Sequence, residues 1–277
     1  MMIDFRYSLH PDKIEQSPTD ILRKEYLIQN LFIPGRPSLV LSDQNQMLIG
    51  GVMPTDAIDL GYEQASSLPV AFKHREMGIF NVGGPGAVET DSGTYALSSD
   101  DALYVGTDNT KLLFHSSNAA LPAKFYFNSV PAHKKCPTTL VEGKKLTPAF
   151  YGESGVQGSR YSYRYIANDV VEGCQLAMGI SAQEQVWVCM PPHLHTSHRM
   201  EVYLYTGFPE DCGVFHFMGK PGATRHLAVK KDQAVIAPSW SVHAGIGNHR
   251  FSIIWGTCGE AYPRYGSQVL SFEALGG

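Results

Sequence analysis

Apolar residues in this 277-residue chain recur in short runs that Gly, Pro, Asn and Asp cut off. The runs LVLSDQNQMLIGGVM, GIFNVGG, ALYVG, KLLFHSS and KFYFNSV fill the first half; RYSYRYI, QLAMGI, QVWVCM, EVYLYTG, CGVFHFMG, RHLAVK, QAVIA and FSIIWG fill the second. Closely spaced strands with Gly-rich turns imply a sandwich or barrel rather than βαβ units. One helix signal stands apart. Ser17-Pro18-Thr19-Asp20 can cap and open a helix over about 17–31, with Ile21, Leu22, Tyr26 and Leu27 as its buried stripe.

The chain also repeats itself. Met53-Pro54 recurs as Met190-Pro191, and His74-Arg75 with Gly83 recurs as His198-Arg199 with Gly207. Asp100–Gly106 resembles Asp232–Pro238. Three matches in one order imply a duplicated barrel, and 277 residues suit two barrels of roughly 100–130 residues each. The expected division is a first barrel over 1–135, a Lys- and Pro-containing linker over 136–158 and a second barrel over 159–277.

Composition narrows the function classes. Hydrophobic residues make up 43%, enough for packed cores, and a formal charge of -4 gives no basic footprint for nucleic acid. No apolar run approaches membrane-spanning length, and the first residues lack a signal-peptide layout. Cys136, Cys174, Cys189, Cys212 and Cys258 are odd in number and have no CxxC spacing, which suits reduced thiols in a cytoplasm.

The sharpest chemical signal is Met190-Pro-Pro-His193-Leu-His195-Thr-Ser-His-Arg-Met-Glu201. A strand alternates faces with period two, so His193 and His195 point the same way. A turn over Thr196–Arg199 would bring Glu201 back toward them at the start of the next strand. His243, in Pro238-Ser-Trp-Ser-Val-His243-Ala-Gly245, is the candidate fourth ligand, beside Trp240. HxH, then Glu, then a distant His is the cupin pattern, so the expected fold is mainly β: a bicupin of two double-stranded β-helix (jelly-roll) barrels with a short N-terminal helix. Imidazole and carboxylate suit Zn, Mn, Fe or Ni alike. His198 competes as a ligand, while the remaining histidines, His216 among them, suit surface or hydrogen-bonded core positions. Counting along the repeat puts Asp56, Ile58, Met77 and Lys111 at the places of His193, His195, Glu201 and His243, so the first barrel should lack this site.

The segments RKEYLIQNLF, GGVMPT, HREMGIFNVGGPGAV, DALYVG, KFYFNSVPAH, CQLAMG, RMEVYLY, PSWSVHAGIG and IIWGTCGE resemble the 5-keto-4-deoxyuronate isomerase family over nearly the whole chain. The resemblance implies zinc held by His193, His195, Glu201 and His243, a hexamer, and conversion of the sugar acid 5-dehydro-4-deoxy-D-glucuronate to 3-deoxy-D-glycero-2,5-hexodiulosonate in pectin breakdown. The family pattern places the glutamate one residue closer to the second histidine than here. For that chemistry Glu260 is the candidate base, and Arg160, Arg164, Arg199 and Arg225 are candidates for the substrate carboxylate. The alternatives are 5-deoxyglucuronate isomerase of inositol breakdown, a cupin oxygenase, and a non-catalytic sugar-acid-binding cupin.

Overall fold

The computed structural model describes residues 2–61, 72–152, 158–185, 191–195, 199–259 and 267–276. Its strands form two barrels, each a large sheet closed by a smaller one. In the first, the large sheet runs Asp4–Arg6, Ser38–Ser42, Leu48–Val52, Phe125–Pro131, Arg75–Asn81, Ala102–Val105 and Thr139–Val141. The small sheet runs Ile58–Asp59, Leu112–Ser116, Gly86–Thr90 and Gly93–Leu97. Leu48, Val52, Ile79 and Phe125 from one, with Ile58, Val88 and Phe114 from the other, fill the space between them.

The second barrel repeats this order. Its large sheet runs Ala149–Tyr151, Arg160–Ile166, Ala177–Gln183, Ser252–Cys258, Met200–Thr206, Gln233–Ala237 and Leu27–Ile28. Its small sheet runs Ala223–Val229, Val214–Lys220, Val242–Gly247, His193–His195 and Ser267–Val269. The last strand of the large sheet comes from the far N-terminal end of the chain, where Leu27 and Ile28 pair with Val235 and Ala234.

That pairing shortens the expected helix. It runs Thr19–Tyr26, with Pro18 at its N-cap and the Ser17 hydroxyl donating back to the Lys13 carbonyl. At Leu27 the backbone turns extended, because a strand position on the second barrel satisfies its amide groups where another helical turn would not bury Ile28. Leu22, Tyr26 and Leu27 are buried as the pattern required, whereas Ile21 faces outward.

The outer faces of the two large sheets pack on each other. A Cβ on Gly78 would strike Ile166 and Met178, and one on Gly256 would strike Asn128, so these glycines let the sheets approach. Val202 and Leu204 point into this inter-barrel core together with Phe80, Tyr104 and Tyr126. Within it lies one buried carboxylate. Glu76 accepts from the backbone amides of Cys174 (2.9 Å), Gln175 (2.6 Å) and Leu176 (2.7 Å), and from the Tyr104 hydroxyl (2.7 Å). Four charge-assisted bonds hold the lead-in to the second barrel against the first. Lys124 and Asp232, 2.6 Å apart, add a second tie.

Candidate metal centre

Strand alternation assembles the site. On Met200–Thr206, Val202 and Leu204 face the inter-barrel core, so Glu201 and Tyr203 face the barrel interior. His193 lies directly opposite His243 in the small sheet, and His195 follows on the same face. One ligand atom from each of His193, His195, Glu201 and His243 lies within 4.8 Å of the others. Among the described residues no other such cluster occurs.

The hydrogen bonds orient the rings. His193 Nδ1 is 3.0 Å from the Pro191 carbonyl, and His243 Nδ1 is 3.0 Å from the Ser241 carbonyl. A carbonyl can only accept, so Nδ1 carries the proton and Nε2 presents a lone pair to the centre. The Nε2 atoms of His195 and His243 lie 3.2 and 3.4 Å from the two Glu201 oxygens. Both are buried and without a hydrogen bond among the described residues. Buried imidazole nitrogens without a donor, gathered round a carboxylate, fit a divalent cation.

Charge supports that fit. Burial, with His243 nearby, lowers His193 to about 4 and keeps it neutral. Burial pushes the Glu201 carboxyl up, but the His195 and His243 imidazoles outweigh it and hold the group well below the usual range. An ionised Glu201 beside a neutral His193 gives the centre a negative charge to offer a cation. A cavity of about 660 Å³ opens over the cluster, within the range of small-molecule sites, and Tyr203 and Trp255 form part of its wall.

The sequence profile of the KduI/IolB family matches residues 29–269. The chain belongs to the KduI/IolB family. It is 39% identical over 261 residues to 4-deoxy-L-threo-5-hexosulose-uronate ketol-isomerase 2 of Enterococcus faecalis, covering 93% of this chain and 94% of that one. It is 40% identical over 263 residues to the 4-deoxy-L-threo-5-hexosulose-uronate ketol-isomerase of Salmonella newport, with the same coverage. Among solved structures, an IolB-like protein from Salmonella typhimurium superposes with a TM-score of 0.66 at 11% identity, over 81% of this chain and 87% of that one. Oxalate decarboxylase of Lactobacillus farciminis, in a formate complex, gives 0.55 at 9% identity over 81% and 78%. At such identities these two share the fold alone.

Within the family fold the four candidate arginines separate. Arg160, Arg164 and Arg199 line the cavity. Arg164 is paired with Asp169 at 2.9 Å. Arg225 does not reach the cavity: its guanidinium donates to the carbonyls of Glu15 and Ser17 and to the Thr19 hydroxyl, tying the N-terminal segment to the second barrel. A forked donor suits a pair of carbonyls as well as a carboxylate, so residue type alone misassigned it. Glu260 and His198 lie outside the described residues.

One interior residue, Tyr203, escaped the sequence reading as a member of the site. The Tyr203 hydroxyl donates to Glu201 Oε2 and lies 3.5 Å from His193 Nε2. Burial and the Glu201 charge push its pKa well above the ordinary value, so it stays protonated. Its position two residues after Glu201, on the same strand face, was the available signal. His216 is fully buried behind Tyr203, its Nδ1 2.7 Å from the Tyr205 hydroxyl, and burial lowers it to about 3. It is one of the hydrogen-bonded core histidines, and the ring sits 5.8 Å from that of Tyr203.

Proposed function

We propose that this chain is the ketol-isomerase converting 5-dehydro-4-deoxy-D-glucuronate to 3-deoxy-D-glycero-2,5-hexodiulosonate in pectin and uronate breakdown, with zinc held by His193, His195, Glu201 and His243. The observation that carries the reading is 39–40% identity to two ketol-isomerases along 93% of the chain, coupled with this cluster beneath a cavity of small-molecule size. The inositol-branch reading has weaker support, since the IolB-like structure shares 11% identity. Cytoplasmic location and a hexamer belong to the same proposal; sedimentation of the purified protein tests the hexamer.

A bound divalent cation supplies Lewis acidity and a template for neighbouring carbonyl and hydroxyl oxygens. The protein's own groups prepare the place. The Pro191 and Ser241 carbonyls fix the His193 and His243 tautomers. Tyr203, protonated, donates to Glu201 and fixes the carboxylate's orientation. Trp255 and Tyr203 wall the cavity beside the cluster, where a proton leaves C2 of the substrate and one arrives at C1.

The test is product NMR after incubation with the 4-deoxy-5-keto acid, with and without verified removal of metal, beside 5-deoxyglucuronate. We expect metal-dependent turnover of the first acid in preference to the second. Turnover that survives metal removal, or a preference for 5-deoxyglucuronate, overturns the reading.

A further inference from the structure

Three arginines line the cavity, and one of them has an unusual electrostatic position. Arg160 opens the strand Arg160–Ile166, and its guanidinium carbon lies 5.0 Å from the centre of the Tyr151 ring on the adjacent edge strand. Its guanidinium donates one long hydrogen bond, 3.4 Å to the Gly158 carbonyl. Among the described residues no carboxylate pairs with it, whereas Arg164 on the same strand face is already neutralised by Asp169. Burial lowers the Arg160 pKa, and Tyr203 lines the same cavity. A partly desolvated guanidinium, facing a cavity and lacking an anion, is a place where a ligand anion gains a charge-assisted, forked contact.

We infer that Arg160, resting against the Tyr151 ring, binds the substrate's terminal carboxylate and so decides which end of an open-chain sugar acid faces the metal cluster. This rests on the isomerase reading, because it uses the ends of that substrate. With C1 and C2 over the cluster, the C6 carboxylate is the far end of the molecule. A guanidinium already in contact with the Tyr151 ring has less freedom to lose when the acid docks. Arg160 is then a specificity residue, selecting uronates over neutral sugars of the same length.

The experiment uses metal-loaded wild type, Arg160→Lys and Arg160→Ala, with metal content and circular dichroism checked for each. With the keto acid and its C6 amide as paired substrates, Arg160→Ala should raise KM for the acid by ~30-fold and erase the preference for acid over amide, with kcat changed far less. Arg160→Lys should recover part of the affinity and none of the fork geometry. A KM change under about 3-fold, or equal losses for acid and amide, overturns the inference. Calorimetric binding of D-gluconate to the same proteins separates the two proposals. If wild type fails to isomerise the keto acid yet binds gluconate, and Arg160→Ala does not, the isomerase reading falls while carboxylate recognition stands. Absence of gluconate binding to wild type, or equal binding to all three, removes the role of Arg160.

Discussion

The two barrels share a strand order and differ in what fills the same four places. Glu201 pairs with Ala237 and Thr257, as Met77 pairs with Val105 and Ser129. His193 lies opposite His243, as Ile58 lies opposite Phe114. Both comparisons run through a hairpin, closed by Lys220 and Ala223 in one barrel and by Thr90 and Gly93 in the other. Leu60 follows Ile58 by two residues, as His195 follows His193. Ile58, Leu60, Met77 and Phe114 are all buried and pack into one apolar core. One scaffold can thus carry either a polar cluster or an ordinary core, and the cluster is a local choice of four side chains. Sequence counting found Met77 but slipped elsewhere, putting Asp56, Ile58 and Lys111 where the structure has Ile58, Leu60 and Phe114.

Copying the first barrel into the second should have the largest effect. Glu201→Met should remove the metal and lower turnover by ~10³-fold or more. Thermal stability should change little, since an apolar side chain in place of a buried charge is often neutral. Metal analysis with a thermal melt checks both; full activity in this variant would break the comparison.

The reverse exchange should damage the fold. Met77→Glu puts a carboxylate among Phe114, Ile58 and Leu60 with no imidazole to meet it, at a cost of roughly 3–5 kcal/mol. Denaturant unfolding measures the cost, and metal analysis should still find one site per chain. A second metal bound by this variant would show that the first barrel retains more of a site than its side chains suggest.

Tyr203→Phe sharpens the account of the second barrel. Loss of the hydroxyl on Glu201 should weaken metal affinity or turnover by about 10–100-fold without unfolding the protein. An unchanged metal affinity and kcat would leave Tyr203 as wall alone.

Acid should separate the barrels by a smaller margin. In the metal-free protein His193 is lowered to about 4 and His216 to about 3, against an ordinary value of 6.5. Between those limits the unfolded chain binds protons that the folded barrel refuses, so stability rises with pH and falls as acid is added below 6.5. The first barrel carries no imidazole at the corresponding four places. Hydrogen exchange should therefore show strand Val214–Lys220 losing protection before strand Arg75–Asn81 as pH falls from 6.5 toward 4. Equal loss in both would contradict this.

Much of this protein was legible along the chain because alternation is a local property. Period-two patterning marked the strands, HxH placed two imidazoles on one face, and the doubled motifs announced a repeated unit. The types of the four cluster residues were equally local information. What the tertiary structure decided was everything that depends on which distant groups come to share a place. Leu27–Ile28 became a strand because an edge of the second barrel stood open to it. Arg225 became a tie to residues 15, 17 and 19, Arg164 found Asp169, and Arg160 came to rest against the Tyr151 ring at the cavity. The repeat's register slipped in the counting because loop lengths differ between the barrels, while strand pairing is set by backbone hydrogen bonds across the sheet. Residue chemistry is written one position at a time, but burial and pairing are properties of closed barrels, and only closure brings those partners together.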